Sequence, residues 1–276
     1  MRSISNSPNR SMLGLTLAST LPAALFFALS WPTTKTVLAA DKPVSAETPA
    51  WDRAAAERYL DGREQDWQDW GRTHKDHDTF CISCHTQAPY GMARPALRQD
   101  LHEPAPSGAE RVMLNSIEKR VRMWKDVEPF YLDAQYGKGK EIESRNAESV
   151  LNAVILSSYD ARQGRITDIT RQAFDNAWAL QSKDGPTAGA WVWQNFHYTP
   201  WESPESEYHG AALFAVALGK APAYAKNEKL SVFLNGKAQR YYEDPKIAAN
   251  VAALRGYLQS HYDAQPLLNK TVALWA

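Results

Sequence analysis

The stretch Thr79-Phe-Cys-Ile-Ser-Cys-His-Thr86 decides what the first half of the chain folds around. Its two cysteines, Cys81 and Cys84, are the only ones in the chain, and His85 follows the second directly. Cysteines three residues apart lie on one face of a helix, and a histidine immediately after them can present its ring to a metal. The spacing predicts covalent attachment of one haem c, with thioethers at Cys81 and Cys84 and the proximal iron ligand at His85.

Two other uses of this motif are weaker. A dithiol redox pair of the thioredoxin kind needs a strand followed by a helix, and no convincing strand pattern surrounds the cysteines. A zinc site needs a fourth ligand, for which His74 or His77 would serve, but zinc hooks usually recur as two pairs. Haem attachment is therefore the prediction for this motif.

The distal iron ligand is left open by the sequence. Met92 is too close to His85, because the chain would have to round the porphyrin edge almost fully extended. His102 in a loop and Met113 on an apolar helix face have an easier reach, although a solvated histidine and a core methionine are the ordinary alternatives. An open sixth position is the third option.

Apolar residues recur at helical spacing on both sides of the motif, which predicts an all-α protein. Residues 51–135 form a unit of cytochrome size, in which residues 89–106 are expected to be a loop and Ser107 and Glu110 match a capping box. Residues 136–145 are rich in Gly and Lys and mark a predicted boundary.

Residues 146–276 continue the helical pattern. Ser203-Pro204 and Asp244-Pro245 each place a capping side chain before a proline suited to a first helical turn. The printed sequence stops within an apolar stripe, so we expect a truncated gene or a fragment.

Residues 1–40 have the pattern of an export signal. A positive start with Arg2 and Arg10 precedes an apolar run from Met12 to Trp31, and small residues end at Ala40. Export to the periplasm is the prediction, with retention of the run as an N-terminal membrane anchor as the alternative. The formal net charge of zero argues against nucleic-acid binding.

The haem motif, together with Pro89-Tyr90 and Ala93-Arg94-Pro95, resembles bacterial cytochrome c domain proteins that carry a C-terminal segment similar to squalene and prenyl cyclases. That resemblance also implies haem ligation by Cys81, Cys84 and His85. In the second half, Trp178-Ala-Leu-Gln181, Asp184-Gly185 and Gly189-Ala-Trp191 resemble the repeat that ties helices together in terpenoid cyclases.

The cyclase resemblance implies an incomplete α/α toroid over residues 146–276, and a second repeat near Gln259 lacks the Gly and Trp. From the residues alone, Gln181 is expected to bond exposed backbone at a helix end while Trp191 packs on the turn. The Asp-rich acid motif of such cyclases is absent from the sequence, so cyclase activity is not expected.

The expected function is one-electron transfer to a redox partner protein. The alternative is a haem-dependent oxidoreductase whose helical second half binds an apolar organic molecule. The aromatic cluster over residues 191–209 would line that pocket, or would serve only to staple helices, which we favour. A homo-oligomer is a further expectation, because an incomplete ring of helices leaves apolar faces to cover.

Overall fold

The computed structural model describes residues 51–222 and 240–276, which belong to one compact unit, Ala50–Ala276. The predicted export signal lies outside the described residues. Helices dominate, and the strands within the described part are two residues long, so the all-α prediction is confirmed. The helices are α1 (Arg53–Asp69), α2 (Gln87–Asp100), α3 (Gly108–Arg122), α4 (Asp133–Tyr136), α5 (Lys140–Gln163), α6 (Asp168–Leu180), α7 (Ser206–Lys220), α8 (Ala248–His261) and α9 (Leu267–Trp275).

The segment expected to be a loop after the haem motif is mostly helix α2, so that prediction was wrong. Pro89 is tolerated because it lies in the first turn, where its missing N–H has no helical acceptor. Pro95 lies inside the helix and forgoes the bond to the carbonyl of Gly91. Packing offsets this loss, because the absence of a side chain at Gly91 lets α2 lie close to α5. A Cβ added at Gly91 would lie only 2.7 Å from Cγ2 of Ile155 on α5. Such close approach of two helices outweighs local propensity.

Helix α3 begins as predicted, with Ser107 and Glu110 forming the capping box. Its Met113, Ile117 and Val121 are buried in the core. Helix α5 begins at Lys140, within the segment predicted as a boundary, after Gly137 and Gly139, which both have positive φ. It packs on α2, α6 and α7 and is buried almost throughout its second half.

Helices α6 and α7 enclose an aromatic cluster. The ring centroid of Phe214 lies 4.6 Å from that of Trp178 and 4.3 Å from that of Trp191, and Phe174 stacks on Tyr241 at 4.5 Å. Such tilted and edge-to-face pairs add to the apolar area that the rings bury. The cluster therefore forms the centre of the second half of the core.

The contacts predicted for Gln181 and Trp191 are confirmed. Gln181 Nε2 donates to the carbonyl oxygens of Gly189 (2.8 Å) and Asn250 (3.1 Å), and Asn250 Nδ2 donates back to Gln181 Oε1 (2.7 Å). Trp191 Nε1 donates to the carbonyl oxygen of Ala177 in the last turn of α6 (2.7 Å). Trp191 thus satisfies a carbonyl at the end of α6, and Gln181 ties the loop after α6 to the first turn of α8.

The last helices close the second half. Asp244 accepts from the N–H of Lys246 (2.9 Å), which confirms the predicted cap ahead of α8. Helix α7 starts at Ser206, after the predicted Ser203-Pro204 start, and Ser206 Oγ accepts from the N–H of Ser203 (2.9 Å). In the described part of the chain, no helix combines the length and apolar character needed to cross a bilayer.

Candidate functional site

The two cysteines lie on an irregular segment that leads into α2. Residues 81–83 have no regular structure, residues 84–86 form a turn and the helix starts at Gln87. The expectation that a helix places both thiols on one face was therefore wrong. Backbone contacts hold the segment instead: the N–H of Cys81 donates to the carbonyl oxygen of Thr73 (2.8 Å), and Trp67 Nε1 donates to the carbonyl oxygen of Cys81 (3.0 Å).

Ser83 shapes the turn between the cysteines and the histidine. Its Oγ accepts from the N–H groups of His85 (3.2 Å) and Thr86 (3.0 Å), as a serine does when it replaces backbone acceptors in a turn. Its own N–H donates to Gln87 Oε1 (3.3 Å). The side chains of Ser83 and Gln87, on either side of His85, thus fix the backbone conformation at the histidine.

Both cysteines are free thiols, and both line one cavity together with His85. Burial raises the pKa of Cys81 well above its usual range, with Glu148 adding to the effect, and burial together with Glu202 raises the pKa of Cys84 to about 12. The two thiols are therefore protonated at neutral pH and resist oxidation or metal binding as thiolates. The volume of the cavity that water can enter is about 30 Å³.

The ring of His85 is exposed at the mouth of this cavity, between two tryptophans. Its centroid lies 5.7 Å from that of Trp67, edge to face, and 6.1 Å from that of Trp201. Trp201 belongs to the predicted aromatic cluster, whereas Trp191 and Trp193 of the same cluster are buried in the core. The cluster is thus divided between a structural part and a part beside the haem motif.

The cavity wall includes charged residues that the sequence did not single out. Arg120 on α3 and Glu148 on α5 form a buried ion pair, in which Nε donates to Oε1 (2.5 Å) and Nη2 to Oε2 (3.0 Å). Arg120 also donates to Thr79 Oγ1 (2.8 Å) at the start of the motif. At the mouth, burial raises the pKa of Glu202, while His85 and Lys140 act in the opposite direction. Hydrophobic periodicity in the sequence does not show that these charged side chains are buried at a cavity, because the helices and the loop that carry them have no unusual pattern.

A second polar group lies behind the motif, on the side of α1. Glu64 is fully buried, and its Oε1 accepts from Gln68 Nε2 and Gln87 Nε2, each at 2.8 Å. Burial raises the pKa of Glu64 to about 7, against the opposing effect of these two amide donors. Helix α1 is polar along its length, so the sequence offered no signal that Glu64 is buried.

The two residues predicted as distal iron ligands do not line this cavity. Met113 is completely buried in the hydrophobic core of α3, and His102 is exposed just after α2 with a left-handed backbone (φ 57°). Cys81, Cys84 and His85 line this cavity, and His102 and Met113 do not. The choice of distal ligand stays a prediction.

The donor set of the cavity fits a covalently held haem: two free thiols, one imidazole, and a wall of rings that includes Trp67, Phe130 and Tyr131. Over residues 51–222 and 240–276, no three side chains of His, Cys, Asp or Glu converge to hold a bare metal ion. In comparisons with family models, curated proteins and solved structures, nothing matched this chain.

Proposed function

We propose that this chain is an exported c-type cytochrome that binds one covalent haem and transfers single electrons. The observation that carries the proposal is that Cys81, Cys84 and His85, predicted from their spacing alone, line one cavity in the fold. Both thiols are free, so neither is committed to a disulfide and each can form a thioether. The proposal is supported by the cavity that the fold forms beside these three residues and not by any likeness to a known protein.

Each part of the cavity has a role under this proposal. The bound haem supplies an iron that changes between the ferrous and ferric states, and its potential depends on ligation, burial and hydrogen bonding. Cys81 and Cys84 hold it covalently and His85 ligates the iron. Trp67, Phe130 and Tyr131 limit water in the cavity, and the exposed position of His85 leaves one edge of the site open to a partner protein.

The decisive experiment is intact-mass measurement of the protein exported from cells that contain haem-attachment machinery. We expect one haem that survives acid-acetone extraction. Cys84→Ala should retain at most one thioether, and the double variant C81A/C84A should retain none. His77→Ala is the matched control, because His77 is an exposed imidazole ahead of the motif. Recovery of haem-free protein with two alkylatable thiols would contradict the proposal.

Optical spectra of the oxidised and reduced protein separate the carrier from the oxidoreductase alternative. A six-coordinate, reversibly reduced haem without turnover supports the carrier, and an open coordination position with turnover of an organic substrate supports the alternative. The variants His102→Ala and Met113→Leu test the two predicted distal ligands in the same spectra. Only the variant that removes the true ligand should change the spectrum of the loaded protein.

A further inference from the structure

The two carboxyl oxygens of Glu64 have different hydrogen bonding. Its Oε1 is satisfied by two amide donors, whereas its Oε2 is buried and has no partner. An ionised carboxylate buried with a bare oxygen is strongly disfavoured, and a proton on Oε2 removes that charge without breaking either bond to Oε1. Both bonds to Oε1 can therefore persist when the charge changes, and the neutral state carries its proton at Oε2.

A short chain of hydrogen bonds connects this carboxyl to the haem motif. Gln87 Nε2 donates to Glu64 Oε1 (2.8 Å), and Gln87 Oε1 accepts from the N–H of Ser83 (3.3 Å). Ser83 Oγ in turn accepts from the N–H of His85 (3.2 Å). The carboxyl is thus linked through one glutamine side chain to the segment between Cys81 and His85, while it touches none of these three residues.

No described cation pairs with Glu64. On α1 itself, Asp61 raises the pKa of Glu64, but the Asp61 carboxylate accepts from Tyr90 and Arg94 of α2. From α3, the carbonyl oxygen of Ala109 accepts from Nε2 of Gln68 (2.8 Å), the same amide group that donates to Glu64. The acidic group of α3 that is buried here, Glu110, bonds to Arg98 and to Tyr159. A change of charge at the haem motif therefore acts on a carboxyl that has no counter-ion of its own.

We propose that Glu64 is the proton-binding group whose protonation is coupled to the oxidation state of the haem site. The proposal rests on the proposed function. When one electron reaches the site, its positive charge falls by one and Glu64 takes up one proton at Oε2. When the electron leaves, that proton is released. The coupling is electrostatic through the buried amide chain, where the low polarity strengthens it.

The sign of the effect follows from this coupling. Oxidation adds positive charge near the carboxyl, which favours its ionised form, so the pKa of Glu64 is lower in the oxidised than in the reduced protein. Between the two pKa values, reduction takes up a proton, and the potential falls as the pH rises. Burial places this window near neutral pH, since it raises the pKa of Glu64 to about 7.

Redox titration of the haem-loaded protein at pH values from about 5 to about 9 tests the proposal. We expect the wild-type potential to fall across the neutral region and to level off on both sides. A tenfold difference in proton affinity between the two oxidation states corresponds to about 59 mV for one electron. Glu64→Gln should give a potential that does not vary in this window, and Asp66→Asn, an exposed acid on the same helix, should behave as wild type.

Infrared difference spectra of the loaded wild-type protein give a readout that does not depend on the variant folding. Reduction at pH 7 should increase a protonated carboxyl band. A wild-type potential that is independent of pH, or the same pH dependence in Glu64→Gln as in wild type, would overturn the inference while leaving the haem in place. Absence of covalent haem would overturn the proposed function and this inference with it.

Discussion

The two halves of the core are held by different forces. Around the haem motif, buried polar groups carry much of the contact: Arg94 bonds to Asp61, Glu57 and Glu103, Arg120 to Glu148, and Glu64 to two amides. Around α6 and α7, apolar rings fill the same role. Buried ions contribute little net stability but are costly to leave unpaired, whereas ring burial is stabilising whatever the pH. The stability of the motif half should therefore depend on pH and fall when a single charge is removed. The stability of the aromatic half should fall when a buried side chain is shortened.

The largest effect should come from Trp191→Ala in the aromatic half. The ring is completely buried against Trp178 and Phe214, so its removal should lower the free energy of unfolding by about 4 kcal/mol. Denaturant titrations at pH 5 and pH 8 should give the same loss, because no titratable group pairs with the indole. Trp51→Ala is the control, since that ring is 67% exposed. A loss that varies with pH would show that the aromatic half depends on pH as the motif half is expected to.

Arg120→Met should lower the free energy of unfolding of the motif half nearly as much, by about 3 kcal/mol, because it removes the hydrogen-bonded ion-pair partner of the buried Glu148. The double variant R120M/E148L should recover most of this loss, since it removes both charges together. The exposed Arg122→Met provides the matched control. If the double variant were as unstable as the single one, packing and not charge would explain the role of Arg120.

Glu64→Gln should raise the free energy of unfolding, and only above about pH 4.5. The folded state raises the pKa of Glu64 from 4.5 to about 7, so the folded protein binds the proton more tightly than the unfolded chain. Wild-type stability contributed by this group is therefore fully present below pH 4.5 and is lost as the pH rises to about 7.

The glutamine has no charge to bury, so the variant should exceed wild type by up to about 3 kcal/mol at pH 8 and match it below pH 4.5. Denaturant titration of the haem-free protein across this range measures the difference. Asp66→Asn should show no such dependence, because its side chain is 67% exposed. A variant less stable than wild type at pH 8 would show that Glu64 is stabilising in its ionised form.

The smallest effect should come from Gln181→Ala, which removes three hydrogen bonds at the end of α6. We expect a loss of about 2 kcal/mol, which lies in the lower part of the range for three bonds that contribute about 0.5–1.5 kcal/mol each. Lys183→Ala, in the exposed turn beside it, should be near neutral. Thermal unfolding of the two variants makes the comparison, and equal stability would show that the amide contributes nothing to the turn.

Sequence patterns located the local features well. The capping box at Ser107, the bond of Gln181 to Gly189 and the bond of Trp191 to Ala177 were predictable because each joins residues close in the chain, whereas the bonds of Gln181 to Asn250 were not. The helix over residues 87–100 was not, because two prolines disfavour it locally and only the close approach of Gly91 to Ile155 compensates. The buried charges were missed for a related reason, since a carboxylate on a polar helix carries no sign of which face is covered.

The sequence by itself determined the chemistry of the candidate site and the helical class of the fold. Two cysteines and a histidine within five positions come together wherever the chain goes, and helical periodicity is a local property. Only the tertiary structure decided the environment of that chemistry. It packed α2 against α1 so that Gln87 bonds to the buried Glu64, and it brought Arg120 and Glu148 from two helices to the cavity. Pairings between residues far apart in the chain depend on how helices pack, which no local pattern specifies.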